Sequence, residues 1–311
     1  LGFFTMDNDL PGTIRRLCQT PQVVDTVATG LAVRHVAVDD TYVYATDASR
    51  GVIRVPKAGG TVETIATPSA APDAIAIDSA NVYWATHDGG STFEIGLRAK
   101  SGGPPATLAS STSGYASIAI DATYVWYARA DGEIGRVPIA GGASEPIVTG
   151  ETAPSSVAVD AANVYWIADG GLVRATRDGA SRTPLVVTTA PTAVVHVTIT
   201  PVELLSSSAG VFVRGTTADG GVVAQLMSDG TMPQVLPAGA FPAVGLDISG
   251  NVMTAFGSAM SSASMIGPLD AKNGVIQFVT PGQRNVSAVT SDGSFAYWAN
   301  AGGELRRIAT Q

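Results

Sequence analysis

Hydrophobic positions along this 311-residue chain return in one short phrase: aliphatic, small, aliphatic, usually an acid, and after four spacer residues an aromatic pair. It reads Val36-Ala37-Val38-Asp39, Ile75-Ala76-Ile77-Asp78, Ile118-Ala119-Ile120-Asp121 and Val157-Ala158-Val159-Asp160. It decays to Val197-Thr198-Ile199-Thr200, Val244-Gly245-Leu246-Asp247 and Val289-Thr290-Ser291-Asp292. Successive fourth positions lie 39, 43, 39, 40, 47 and 45 residues apart. A period of about 42 residues, written in short alternating segments, predicts the blades of a β-propeller.

Residues 74–109 serve as the template for one blade. The aliphatic run 74–77 suits an inner strand covered on both faces, and 78–80 turn the chain. Residues 81–85 are β-branched and aromatic, as strands prefer. Residues 87–90 turn again, 93–98 form a third strand, Gly102-Gly103 a hairpin turn, and 106–108 an outer strand. Paired glycines supply the positive φ that such turns demand. The aromatic pair recurs as Trp126-Tyr127, Tyr165-Trp166 and Tyr297-Trp298, and shrinks to Tyr44-Ala45 in the first full repeat. Arginine marks the third strands at Arg54, Arg98, Arg136, Arg174 and Arg306. The small second position of each phrase fits inner strands that converge on an axis.

The expected fold is therefore all-β: a single β-propeller over residues 1–311, built from four-stranded antiparallel blades. Residues 1–28 supply closing strands and 29–311 seven blade repeats, with eight blades as the competing count. The N-terminal outer strand, 23–28, is expected to pair with three C-terminal strands and so seal the sheet edges. The fifth and sixth repeats depart most: their aromatic pairs are lost, and 201–210 reads as an insertion.

The phrase, the Tyr-Trp pair and the Ile-x-Arg-Val strand resemble the YWTD/NHL-like class of bacterial propeller repeats, with Tyr44-Ala45-Thr46-Asp47 the nearest literal match. The resemblance covers nearly the whole chain. It implies a binding platform in most cases and an enzyme, such as a streptogramin lyase, in a minority; a fold of this kind does not fix function.

Composition narrows the partners. A net charge of −8 with three lysines argues against nucleic acid and anionic membranes. No apolar run approaches a spanning helix. Cys18 stands alone, which removes any disulfide framework or cysteine metal cluster. Sparse lysine with abundant Ala, Thr, Ser and Gly fits a secreted, periplasmic or cell-surface bacterial protein whose signal peptide has been removed.

Two sets of residues carry candidate chemistry. The phrase-ending acids Asp39, Asp78, Asp121, Asp160, Asp247 and Asp292 lie at one end of the inner strands. Aimed at the channel they would form a carboxylate ring for calcium; turned back, each caps its own turn. On the opposite rim, loops between second and third strands carry Asp47, Asp88, Asp131, Asp169, Asp219 and Asn300, with His87 among them and Trp84, Tyr127, Trp166 and Trp298 nearby. Acceptors beside aromatic faces suit sugar hydroxyls, and the same residues suit plain turn chemistry and interblade packing. The irregular stretches 214–221 and 257–263 would raise one sector of this rim. No nucleophile elbow, phosphate loop or metalloprotease motif is present. The expectation is a binding module for carbohydrate or protein, with no cofactor beyond a calcium ion. The alternatives are a metal-assisted lyase or lactone hydrolase acting in the channel, or a structural scaffold.

Overall fold

The computed structural model describes residues 3–4, 15–16, 25–185, 199–207, 210–217, 220–226, 235–237, 243–246, 252–256, 265–268, 286–292, 294–300 and 302–309. Blade 1 consists of Val33–Val38, Tyr42–Asp47, Gly51–Pro56 and Glu63–Ala66. Blade 2 is Ala71–Ile77, Asn81–Asp88, Phe93–Ala99 and Ala106–Ser111. Blade 3 is Tyr115–Ile120, Tyr124–Arg129, Glu133–Pro138 and Glu145–Val148. Blade 4 is Ser156–Val159, Asn163–Ala168, Gly171–Thr176 and Thr183–Leu185. Blade 5 is Thr200–Ser207, Gly210–Thr217, Gly220–Leu226 and Val235–Pro237. Each is an antiparallel meander in chain order, and the first strands of successive blades lie side by side around the axis.

A closing blade joins Val286–Ser291, Phe295–Asn300 and Leu305–Ala309 to the N-terminal strand Asp25–Ala28, with Arg307 opposite Asp25. Between blade 5 and the closing blade sits a three-stranded sheet, Ala243–Leu246, Val252–Phe256 and Met265–Pro268. Among the described residues six four-stranded blades are thus found, not seven or eight. The sequence count assumed that every recurrence of the phrase carries four strands; the sixth recurrence carries three among the described residues. Phe3–Phe4 pairs with Arg15–Arg16 in a separate two-stranded sheet, so of the described residues in 1–28 only Asp25–Ala28 joins the closing blade.

Blade 5 corrects two further expectations. Residues 201–210 are no insertion: Thr200–Ser207 is itself the inner strand, and Arg214 belongs to the strand beside it rather than to a raised loop. The decayed phrase at 197–200 meets this strand only at Thr200, its first residue; 197 and 198 lie outside the described residues. The stretch 257–263 lies outside the described residues.

Second strands form the core of each blade; Asn163–Ala168 is buried at every position. Across the second and third strands, size is compensated pair by pair. Trp84 stands opposite Gly96 and Tyr127 opposite Gly135, whereas Ala45 stands opposite Ile53. A Cβ on Gly96 would sit 2.3 Å from two carbons of the Trp84 indole, so glycine is what admits the aromatic ring.

The pairing register also corrects the arginine column. Arg54, Arg136, Arg174 and Arg307 stand opposite Tyr44, Trp126, Tyr165 and Tyr297, while blade 2 offers Leu97 opposite Tyr83. Arg98 and Arg306 are displaced by one residue, and alternation sends them to the other face. Three of these four bridge blades, as Arg98 also does by donating to the Ile65 carbonyl at 2.7 Å. Arg54 donates to the Lys100 carbonyl at 3.1 Å, Arg136 to that of Arg177 at 3.2 Å, and Arg307 to that of Lys57 at 2.7 Å.

Candidate functional site

The phrase-ending acids turn back into their own turns. Asp39 Oδ1 accepts from the backbone N–H of Thr41 and Tyr42, both at 2.8 Å, and Oδ2 from the Tyr44 hydroxyl at 2.9 Å. Asp78, Asp160 and Asp292 repeat this with Tyr83, Tyr165 and Tyr297; Asp121 uses the Trp126 indole N–H. Three of them also receive a cation from the following blade: Lys100 on Asp39, Arg177 on Asp121 and Lys57 on Asp292. Burial pushes the Asp39, Asp121 and Asp292 carboxyls up, but hydrogen bonds from the turns, aromatic partners and cations outweigh it and hold them below the usual carboxylate range. Among the described residues these acids do not gather their oxygens into one cluster. Turn geometry and aromatic partners claim the lone pairs a calcium ring would need. Asp247 lies outside the described residues.

The opposite rim is mixed. Asp47 is fully buried, capping its loop through Ser49 and Arg50 N–H and accepting from Ala32 N–H at 2.7 Å. Burial opposes its charge, yet these hydrogen bonds hold its carboxyl below the ordinary value. Asp131 pairs with Arg129 at 2.8 Å, which likewise lowers its carboxyl. Asp169 occupies a left-handed turn with φ of 50°. Asn300 accepts from Gly302 and Glu304 N–H. Asp219 lies outside the described residues. Trp84, Tyr127, Trp166 and Trp298 are buried to 1% exposure or less, so none offers a ring face to a ligand. Their large area holds the blades together instead.

What the rim does offer is a cavity of about 890 Å³ at the axis, lined by the inner strands of the six blades. Near the loop rim the inner strands of blades 1, 2, 3, 5 and the closing blade each break register. The residues skipped by these β-bulges are Arg34, Asp73, Ala116, Val202 and Ser287. Bulges re-aim side chains and recur beside functional sites, and here four of the five line the cavity. Two seams between blades are stitched at this level by small hydroxyls. Ser117 Oγ accepts from Val157 N–H at 3.2 Å, and Ser156 Oγ from Leu204 N–H at 3.0 Å. The seam between blades 1 and 2 instead carries an ion pair, Arg34 Nη1 to Asp73 Oδ1 at 2.7 Å, with the two side chains 38% and 28% exposed.

Beside it, His87 Nδ1 lies 3.0 Å from Asp88 Oδ1. A half-exposed pair of this kind contributes only about 0–1 kcal/mol, so stability does not account for charge at this seam. On blade 5, Glu203 and Arg214 form a second pair at the cavity wall, 2.9 Å apart. The mouth is therefore asymmetric. Charge gathers at blades 1, 2 and 5, while blades 3 and 4 present small and aliphatic side chains.

Sequence reasoning found His87 and Asp88 and missed Arg34, Asp73, Glu203 and Arg214. One signal was present. Pro72 and Pro201 each interrupt an inner strand, and proline within a sheet is confined to edges and bulges.

No protein-family model matches this sequence, and no curated protein matches it. The chain is similar in structure to a catalytically inactive histidine-to-alanine variant of virginiamycin B lyase from Staphylococcus aureus, solved with quinupristin. That likeness has a TM-score of 0.67 and 16% identity, and covers 93% of this chain and 100% of that one. It is similar as well to the computationally designed Ika8 protein, with a TM-score of 0.59 and 15% identity over 92% of this chain and 98% of that one. A third likeness is to the extracellular domain of a one-component system from B. thetaiotaomicron, with a TM-score of 0.59 and 11% identity. It covers 92% of this chain, which spans 40% of that chain's length. At these identities the likeness carries the fold: the protein is a β-propeller of four-stranded blades.

Proposed function

We propose that this β-propeller is a binding module that takes a polar small ligand of the carbohydrate class at the loop-rim mouth of its central cavity. The observation that carries the reading is the charged seam Arg34–Asp73, with His87 and Asp88 beside it, where other seams use serine. A concave site with aliphatic walls and a few convergent polar groups is the usual form of a small-molecule pocket. Bidentate guanidinium and carboxylate groups suit vicinal hydroxyls. The fully buried aromatic rings shift the expected contacts away from stacking and toward hydrogen bonds.

We read the blades as YWTD/NHL-like repeats, on the strength of the recurring phrase, and the chain as secreted, periplasmic or cell-surface. The extracellular setting of the B. thetaiotaomicron neighbour supports this location, and among the described residues no helix is long and apolar enough to cross a membrane. The lyase or lactone-hydrolase alternative is not favoured, because the likeness to a lyase rests on 16% identity, which carries the fold alone. A glycan-array screen in calcium, repeated with chelator, tests the reading. The expected result is selective glycan binding that disappears when Arg34 and Asp73 are both changed to Ala. Binding to no glycan in either buffer, or binding indifferent to that double change, overturns it and turns the search to protein partners.

A further inference from the structure

We infer that Asp73, His87 and Asp88 form a site for a divalent transition-metal ion of the zinc class at the mouth of the cavity. This inference does not depend on the ligand being a carbohydrate. Each of the three residues offers a ligand atom within 4.8 Å of the others, and they are the only such group among the described residues. His87 Nδ1 and Asp88 Oδ1 are 3.0 Å apart. A tetrahedral ion with bonds near 2.1 Å sets its donors about 3.4 Å apart, so Asp88, 66% exposed at a strand end, has only a small distance to move.

The donor set selects the metal. One imidazole with two carboxylates suits zinc and its first-row neighbours, whereas calcium and magnesium prefer oxygen throughout. Three protein ligands leave a position open, the arrangement of sites that engage a further molecule rather than merely brace the fold. Of the three, Asp73 lines the cavity, which sets the site at the cavity's edge.

The surroundings hold the donors in place. The inner strand of blade 2 breaks register twice, between Ala71 and Pro72 and between Pro72 and Ala74, and Asp73 projects from that double irregularity. Arg34 donates to Asp73 Oδ1 at 2.7 Å and leaves Oδ2 for the ion. A hydrogen-bonded outer partner of this kind is what metal-ligating carboxylates carry. Arg34 is the cation that faces the group; it orients Asp73 and offsets one of the two carboxylate charges. On the other side, blade 3 presses Gly114 against His87. A Cβ there would lie 2.4 Å from the His87 carbonyl oxygen and 3.0 Å from its ring carbon Cδ2. Glycine at this position is what lets the next blade come so close to the histidine.

The test titrates zinc chloride alone into chelator-stripped protein, followed by calorimetry and by thermal unfolding. Cobalt(II) absorption provides a spectroscopic readout of imidazole ligation. The expected result is one saturable site that raises the unfolding temperature. Its affinity falls roughly tenfold or more in His87→Ala and in the near-isosteric Asp88→Asn, and stays unchanged in Asp131→Asn on the same rim. His87 and Asp88 are partly exposed, so both variants keep the fold, which circular dichroism checks. Variants that bind zinc as tightly as the parent, or a parent with no saturable site, overturn the assignment. So does an equal response to calcium and zinc.

Discussion

Adding one methyl group at Gly96 tests the pairing of small and large residues within a blade. Gly96 stands opposite Trp84, and a Cβ there would lie 2.3 Å from Cε2 and Cζ2 and 2.6 Å from Nε1 of the indole. That is more than an ångström inside the ordinary carbon–carbon contact of about 3.5 Å. Trp84 is 1% exposed and tethered by its indole N–H to Glu94 Oε1 at 3.0 Å, so the ring cannot swing into solvent. Overpacking of this kind costs roughly 1–3 kcal/mol, which Gly96→Ala should show as a lowered urea midpoint at unchanged slope. Trp84→Ala alone removes a buried indole and costs about 3–5 kcal/mol. The double variant is the decisive member. Without the indole the new Cβ meets no clash, so the penalty of Gly96→Ala should vanish in that background, a coupling of roughly 1–3 kcal/mol. Strict additivity, or a Gly96→Ala protein within about 0.5 kcal/mol of the parent, would refute the reasoning.

Arg307→Ala should weaken the closure, because Arg307 binds both the Lys57 carbonyl of blade 1 and Asp25 of the N-terminal strand; a loss of roughly 1–3 kcal/mol is expected in chemical denaturation. Acid should destabilise the fold through Asp39, Asp121 and Asp292. Their folded carboxyls lie below the ordinary value, so the stability they contribute is complete above an unfolded value of about 3.9 and is lost as pH falls toward the folded values. Denaturation midpoints should hold from neutral pH to about pH 5 and then fall. Asp121→Asn should lower the neutral midpoint and flatten that decline; an unchanged decline would place the acid sensitivity elsewhere.

Much of the architecture was legible because burial writes it directly. Residues 81–85 and 93–98 were read as strands and belong to Asn81–Asp88 and Phe93–Ala99, since inner strands must be aliphatic and second strands must fill the blade with β-branched and aromatic side chains. The closing pair was legible too, because an outer strand without its partners is an unpaired edge. Blade 5 was not: its inner strand, Thr200–Ser207, lacks the alanine-and-acid phrase and sits where proline and serine suggest a loop. The arginine column slipped by one at Arg98 and Arg306 because spacing along a strand does not reveal pairing register. Arg34 and Asp73 stayed hidden for the same reason: a bulge decides that two ordinary-looking strand residues meet across a seam. The candidate site is a product of tertiary alignment between blades, and only its His87-Asp88 half is local in sequence.

The join between Asp25–Ala28 and Leu305–Ala309 has a consequence in time. Arg307 and Asp25 are separated by 282 positions along the chain, so among the described strands the sheet that seals the ring is the most non-local pairing, while the other described blades are meanders of neighbours. During synthesis, blades 1 to 5 can form as the chain emerges, but the N-terminal strand has no partner until Leu305–Ala309 is made. Loop-closure entropy places that step late and makes it slow. Until then the nascent protein carries two open edges, at Asp25–Ala28 and at whichever strand was made last. A chain halted before residue 305 would therefore be the form most exposed to mispairing with another copy of itself.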